Sequence, residues 1–299
     1  MRSKLNQFLN LGGFKTFLVM AAFAVTTGIL VNLVYRQRGV FFSYRWHIDL
    51  IYLLLAYVVF SFDLILVTYV WVRIIHSFEC QISFRKHFRN FCVSNLARRL
   101  PGSIWYIAYR NRFYKDEGLP VSATSLASGI ELAVSLISAV LVVLVFSAQL
   151  LLKSVPGTIA SVVLLTISLA FLHPRIFHWV IKRITHITYQ IRYKSLLGWV
   201  ACYILVWIAG GLILFCTISI FYPIHITHLG YITGCVALAG LFSRALLFSP
   251  TNFGITEISL SLMLTAILPA PVALIASIMN RILTTLFDLL WALITLLLK

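Results

Sequence analysis

The chain is poor in charge, and above all in acid. Only 11% of its 299 residues are charged and only eight are Asp or Glu, whereas 61% are hydrophobic. Soluble domains carry about a quarter charged residues, so this composition excludes a soluble globular protein. The 24 Lys and Arg residues give a net charge of +16. They lie between apolar runs, where basic residues set membrane topology and attract anionic lipid, so the charge does not indicate nucleic-acid binding.

Several catalytic and metal-binding patterns are also missing. The five cysteines form no CxxC pair, and the eight histidines form no HExxH motif. The chain has no P-loop, no GxGxxG and no GxSxG sequence. We therefore expect no metal and no cofactor, and these absences argue against a kinase or a serine hydrolase. Any transport would draw on a gradient or the membrane potential, or would be equilibrating.

Six apolar runs reach the roughly 20 residues that a spanning helix needs. They cover about 14–35, 47–72, 121–147, 155–173, 197–222 and 272–298. The first is expected to be a retained helix, because no small-residue cleavage site follows it. Two further regions, about 84–118 and 229–268, are apolar but broken, at Pro101-Gly102 and at 249–254. The prediction is an all-α polytopic membrane protein that forms a single membrane domain over residues 1–299.

The two broken regions suggest an internal repeat. Each half reads as a helix, a broken region, a proline (Pro120 or Pro271) and then a long helix with ionisable residues. The predicted repeats cover 47–147 and 197–298, joined by a span and an interfacial segment over 155–196. Interrupted segments at matching places in two halves are typical of transporter binding sites.

The basic residues predict the orientation. The 72–118 region and the 174–195 loop hold most of them, which places both in the cytoplasm if the N-terminus is also there. The broken regions would then be re-entrant on opposite faces, and the halves inverted, in the cell inner (plasma) membrane. The loop with Arg36, Arg38 and Arg45 does not fit this layout. Residues 175–194 suit an amphipathic helix on the inner interface, or a plain connecting loop.

Two long spans carry polar stripes at helical spacing. The stripes are Ser125, Ser128, Glu131, Ser135 and Ser138 in one span and Ser277, Arg281, Thr284, Asp288 and Thr295 in the other. Charged residues in a span avoid lipid and face the bundle interior or a water-filled cavity. We expect Glu131 to pair with Arg281, with Asp288 as another candidate partner. The stripes would line a groove for a polar lipid headgroup, or they would only hold helices together.

Four further residues are candidates for the same site. Asp63 lies inside the second span. Arg98 and Arg99 precede the first break and would suit a phosphate, or they would be topology charges. Glu257 follows the second break, where it could bind a cationic group or cap a short helix.

These motifs resemble the lysylphosphatidylglycerol synthase transmembrane family, which includes the flippase part of the multiple peptide resistance factor. The resemblance rests on Arg99–Trp105, Glu117–Leu119, Glu131-Leu132, Pro250–Glu257 and Val272–Arg281, and it covers roughly 47–298. The chain departs from the family at Leu132, where an arginine is frequent, at Ser135, where an acid is frequent, and at Thr251-Asn252, where a glycine pair is common. The resemblance implies a stand-alone flippase-like module without the soluble aminoacyl-transfer domain.

Three functions remain open from the sequence. A translocase would move a phospholipid or a polyprenyl-phosphate-linked lipid between leaflets and would not be an enzyme. A lipid-phosphate transferase would need a carboxylate or a histidine at the water interface near Arg98 and Arg99, and Asp116 and Glu117 are the acidic candidates there. A scaffold would serve a partner enzyme encoded elsewhere. The expected partners are membrane lipids with an anionic or phosphate-bearing headgroup, with a partner enzyme and a homo-oligomer left open.

Overall fold

The structure is a computed structural model that describes residues 48–78, 82–99, 105–146, 155–173, 192–245 and 254–297, together with Tyr35 and Arg175. Within these residues the regular secondary structure is entirely helical. The predicted span at 14–35, the Pro101-Gly102 break, Pro250 and most of the 175–194 segment lie outside the described residues.

Nine α-helices follow one another along the described residues. They are α1 (Leu50–His76), α2 (Phe84–Arg99), α3 (Trp105–Asp116), α4 (Val121–Phe146), α5 (Val155–Leu172), α6 (Tyr193–Ser219), α7 (Leu229–Ala245), α8 (Ile255–Leu264) and α9 (Ala270–Leu297). A short 3-10 helix, Ile226–His228, leads into α7. In each half, therefore, two shorter helices stand between two long ones.

Local sequence explains several helix ends. The carboxylate of Asp49 caps α1 by accepting from the Ile51 N–H at 2.9 Å. The end of α3 turns through Gly118, whose φ of 90° is a conformation that favours glycine. Pro120 then directly precedes α4, where a missing N–H costs nothing. These three helix boundaries thus depend on residues with defined backbone roles.

Five described stretches are long and apolar enough to cross a membrane. They are Leu50–His76, Val121–Phe146, Tyr193–Ser219, Ile226–Arg244 and Ala270–Leu297. Four of them confirm predicted spans with shifted ends. The fifth lies in the first part of the region 229–268, ahead of the break predicted at 249–254, and was not counted among the predicted spans. The predicted span at 155–173 is the 18-residue helix α5, which is not among the five.

The helices pack with a pattern that is preserved when the two halves are exchanged. Helix α1 packs on α6, α4 packs on α7, and α2 packs on α9. Within each half, α2–α3 and α3–α4 contacts correspond to α7–α8 and α8–α9 contacts. The main apolar core follows these contacts, with Trp71, Phe91, Ile130, Leu214 and Ile218 among its buried members. The repeat and its inverted orientation stay predictions.

Candidate functional site

A cavity of about 310 Å³ lies between the helices and is lined by charged side chains. All the described α-helices except α5 contribute to its wall. The charged lining residues are Asp63, Arg98, Glu131, Arg244, Arg281 and Asp288. Five of them were predicted from the sequence. Of the other two predicted residues, Glu257 forms an ion pair with Arg281. The side chain of Arg99 is outside the described part of the chain.

Glu131 accepts hydrogen bonds from two buried side chains. Its Oε2 accepts a hydrogen bond from Nη1 of Arg110, and its Oε1 accepts one from the Tyr203 hydroxyl at 3.0 Å. Arg98 Nη2 lies 4.0 Å from Oε1. The carboxylate side chain is only 5% exposed, so these donors replace water around a charge that burial would otherwise make very costly.

Arg110 occupies a pocket of aromatic rings on the far side of Glu131 from the cavity. Its guanidinium carbon lies 4.2 Å from the centre of the Trp71 ring and 4.4 Å from that of Phe91. Its Nε donates to the Ser94 hydroxyl at 3.1 Å. The Arg110 side chain is fully buried. Aromatic faces and one carboxylate thus hold a cation that the positive-inside pattern had assigned to the inner surface.

The expected pair between Glu131 and Arg281 is wrong. Glu131 pairs with Arg110 of the preceding helix α3, and Arg281 pairs with Glu257 of the preceding helix α8, at 3.4 Å. The physical reason is proximity, because each short helix packs directly on the long helix that follows it. The result is two ion pairs in matching places, with the acid on the long helix in one half and on the short helix in the other.

Glu257 has both of the roles proposed for it. Its Oε2 accepts from the backbone N–H of Gly254 at 2.8 Å, which closes the N-terminus of α8. Gly254 has a φ of 89°, a conformation that favours glycine. The other oxygen, Oε1, faces Arg281. One carboxylate therefore both shapes the second break and neutralises a cavity arginine.

Arg98 and Arg244 line the cavity with their guanidinium groups stacked on aromatic rings. Arg98 lies 4.4 Å from the centre of the Tyr106 ring, and Arg244 lies 4.4 Å from that of Trp207. Tyr106 itself is buried. The charge of Asp63 interacts with Arg98, Arg244 and Asp288. The wall therefore holds interacting charges of both signs.

A buried polar chain supports the aromatic pocket of Arg110. The Trp71 N–H donates to the Tyr114 hydroxyl at 2.7 Å, and this hydroxyl lies 2.7 Å from Nδ1 of His87. Because tryptophan can only donate, the tyrosine proton is available to His87 Nδ1. Burial lowers the pKa of His87 to about 4, and the neighbouring His76 contributes to the decrease. His87 is therefore neutral at physiological pH.

The two acids proposed for a transferase lie outside the cavity wall. No group of three or more metal-ligating side chains is found among them. Glu117, one of the two acids proposed for a transferase, pairs with Lys86 at 3.0 Å on the surface. Asp116 is exposed at the end of α3, and neither acid lines the cavity.

Sequence reasoning missed two arginines of this site. Arg110 could have been found, because Tyr106, Arg110 and Tyr114 recur every four residues and so mark one buried face of α3. Arg112 and Lys115 lie on the exposed side of the same helix. Arg244 precedes the second break, as Arg98 precedes the first.

The fold and the cavity define a class: an α-helical, multi-pass membrane protein whose helices enclose a charged cavity. The model of one protein family, the lysylphosphatidylglycerol synthase transmembrane region, matches residues 19–292. The chain belongs to this family, which confirms the resemblance seen in the sequence. No curated relative matches the chain. Family membership makes this a membrane protein related to lipid metabolism.

Proposed function

We propose that the protein is a lipid translocase of the flippase type, which moves a phospholipid or a polyprenyl-phosphate-linked lipid between leaflets. The observation that carries this proposal is a cavity with six charged lining residues inside a multi-pass protein of this lipid-related family. Burying so many charges is expensive unless they serve each other or a ligand. A structural role alone would not require them to face an open space.

The cavity suits a headgroup better than a whole lipid. Its volume of about 310 Å³ is at the lower end of ligand pockets and would hold a phosphate with a small polar group. The outer faces of α1 and α9 are apolar and exposed, for example at Leu54, Phe62 and Leu293. Acyl or prenyl chains would stay against such faces while the headgroup crosses inside.

The two halves offer a way to change access to the cavity. Each half has one ion pair between a short and a long helix, Arg110–Glu131 and Glu257–Arg281. In our proposal the halves are inverted repeats with re-entrant breaks, in the cell membrane, with the N-terminus in the cytoplasm. A headgroup that competes for either pair would loosen that half, so the pairs would respond to substrate from opposite sides.

Reconstitution tests this function. The full chain is placed in liposomes that contain phosphatidylglycerol or phosphatidylethanolamine with a fluorescent headgroup, and a membrane-impermeant reductant reports transfer between leaflets. We expect the wild type to speed transfer, and Glu131→Gln or Arg281→Ala to abolish it. Arg112→Ala removes an exposed arginine of α3 and serves as the matched control. Elution profile and helical content show that each variant is folded.

The outcomes separate the function from the site. Normal transfer in both cavity variants would reject the site while leaving the function. Failure of the wild type to speed the transfer of any lipid tested would reject the translocase. In that case, activity that appears only with a co-purifying lipid enzyme would favour the scaffold alternative.

A further inference from the structure

Arg98 and Arg244 occupy matching positions in the two halves. Each is the second-to-last residue of its helix, α2 or α7, and each of these helices leads into a break that contains a proline. Both side chains line the same cavity. Two like charges that face one space repel each other, so an anion between them would remove the repulsion.

Both arginines have guanidinium groups that lie over aromatic rings, each 4.4 Å from the ring centre. A guanidinium that lies flat over a ring uses its face for that contact and keeps its N–H groups, which point along its plane, for other partners. Arg98 Nε has no hydrogen-bond partner among the described residues. Among the same residues, Arg244 has no carboxylate within ion-pair distance, and its guanidinium lies over the Trp207 ring.

Gly240 makes the position of Arg244 possible. A Cβ atom at Gly240 would lie 2.3 Å from Cη2 of Trp207 and 3.0 Å from Nη1 of Arg244. Gly240 and Arg244 are one turn apart on α7, so the missing side chain leaves the space in which the indole passes beneath the guanidinium. The indole N–H donates to the Ser135 carbonyl at 3.2 Å, which fixes the ring from the other side.

We propose that Arg98 and Arg244 together grip one phosphate group, with Arg244 held in place by Trp207 and Gly240. The grip rests on the proposed function and names the group that the cavity recognises. Phosphate fits because its oxygens can accept hydrogen bonds from two guanidinium forks at once. Glu131 does not already fill this role, because its two oxygens accept from Arg110 and Tyr203 and Arg98 lies 4.0 Å from it.

Asp63 limits what the rest of the ligand can be. Its Oδ1 is buried without a hydrogen-bond partner among the described residues, and the residue lines the cavity together with both arginines. Beyond the phosphate, the ligand should therefore offer hydroxyl or ammonium donors. A glycerol or ethanolamine phosphate ester has both features.

Binding to the purified full chain in detergent tests the grip. The probes are dihexanoylphosphatidylglycerol, dihexanoylglycerol, which lacks the phosphate, and free glycerol phosphate, each titrated by calorimetry. We expect Arg98→Gln and Arg244→Gln each to weaken binding of the phospholipid by about tenfold or more. Neither should change binding of dihexanoylglycerol. Arg112→Gln, which loses an exposed arginine, should bind as the wild type does.

Gly240→Ala tests the seat of Arg244 without removing a charge. The new methyl group displaces the Trp207 ring, so phospholipid binding should weaken while dihexanoylglycerol binding is kept. If free glycerol phosphate competes as well as the phospholipid, the grip is supported and serves a soluble phosphate. Competition by the phospholipid alone assigns it to the lipid.

Two binding results would overturn the grip. One is unchanged phospholipid binding in both arginine variants. The other is an equal loss for dihexanoylglycerol, which would mean that the arginines act on the fold or on tail binding. Wild-type binding without leaflet transfer would reject the translocase and keep the grip. Leaflet transfer that is as fast in both arginine variants as in the wild type would reject the grip and keep the translocase.

Discussion

Arg110 and Glu131 form an ion pair in which the arginine is fully buried and the glutamate side chain is only 5% exposed. The arginine lies on the aromatic side, against Trp71 and Phe91, and the glutamate lies on the cavity side. The pair therefore joins the apolar core to the polar cavity. Either partner alone would be an uncompensated charge in a low-dielectric interior, which links the stability of the fold to the integrity of the site.

The first prediction concerns the removal of one partner. Arg110→Gln should cost about 3–5 kcal/mol of folding free energy, because it leaves the buried Glu131 with a weaker set of donors. Lys86→Gln breaks the Lys86–Glu117 pair, whose lysine side chain is 50% exposed, and should cost less than about 1 kcal/mol. Unfolding by SDS titration from mixed micelles measures both. Equal effects would contradict the view that the buried pair is the stronger constraint.

The second prediction uses two glycines of α6. A Cβ atom at Gly211 would lie 2.8 Å from the Cα atom of Thr233, so Gly211→Ala must push α6 and α7 apart. We expect a loss of about 1–3 kcal/mol. Gly198 has open space around its Cβ position, so Gly198→Ala should be neutral or should stabilise the helix by up to about 1 kcal/mol. Thermal unfolding in one detergent compares the two, and a milder effect at Gly211 would contradict the close helix approach.

Much of the cavity could be predicted from sequence because of a simple physical rule. An ionisable side chain in an apolar span must face the protein interior, and this rule alone places Asp63, Glu131, Arg281 and Asp288. Helical spacing then puts the last two on one face of α9. The same reasoning correctly identifies four of the spans, since each depends only on local composition.

The choice of partners could not be predicted in the same way. Which charges meet depends on which helices pack together, and Glu131 is next to α3 rather than opposite Arg281. Arg110 lies in a basic segment, where a topology charge and a buried cation look alike unless the aromatic residues at four-residue intervals are noticed. Arg244 could not be placed from sequence because it lies in the region 229–268, which the sequence shows as broken. The pattern there does not reveal that a helix ends beside Arg244.

The third prediction separates the two roles of Glu257. Glu257→Gln keeps an oxygen that can accept from the Gly254 N–H but loses the charge that faces Arg281. Glu257→Ala loses both. Alanine should therefore destabilise the protein by about 1 kcal/mol more than glutamine, the usual size of an N-cap effect. Thermal unfolding of the two variants provides the measurement, and equal stability would show that the cap contributes nothing.

The fourth prediction is a pH dependence of stability that comes from His87. Burial lowers the pKa of His87 from its ordinary value of 6.5 to about 4. The unfolded chain therefore takes up a proton near pH 6.5, whereas the folded protein stays neutral until about pH 4. Stability from this group is fully present above the higher value and is lost as the pH falls, by up to about 3 kcal/mol. His76 lies beside it, and the charge of Glu117 acts in the opposite direction.

His87→Gln tests this dependence, because glutamine can still accept from the Tyr114 hydroxyl but does not titrate. Unfolding is measured at pH 7 and pH 5 in the same detergent for the wild type, His87→Gln and His76→Gln. The wild type should lose about 2 kcal/mol more than His87→Gln between these two values. His76→Gln should keep most of the wild-type dependence, because burial is the larger cause of the lowered pKa. Parallel losses in the wild type and His87→Gln would mean that another group, and not this buried imidazole, controls acid stability.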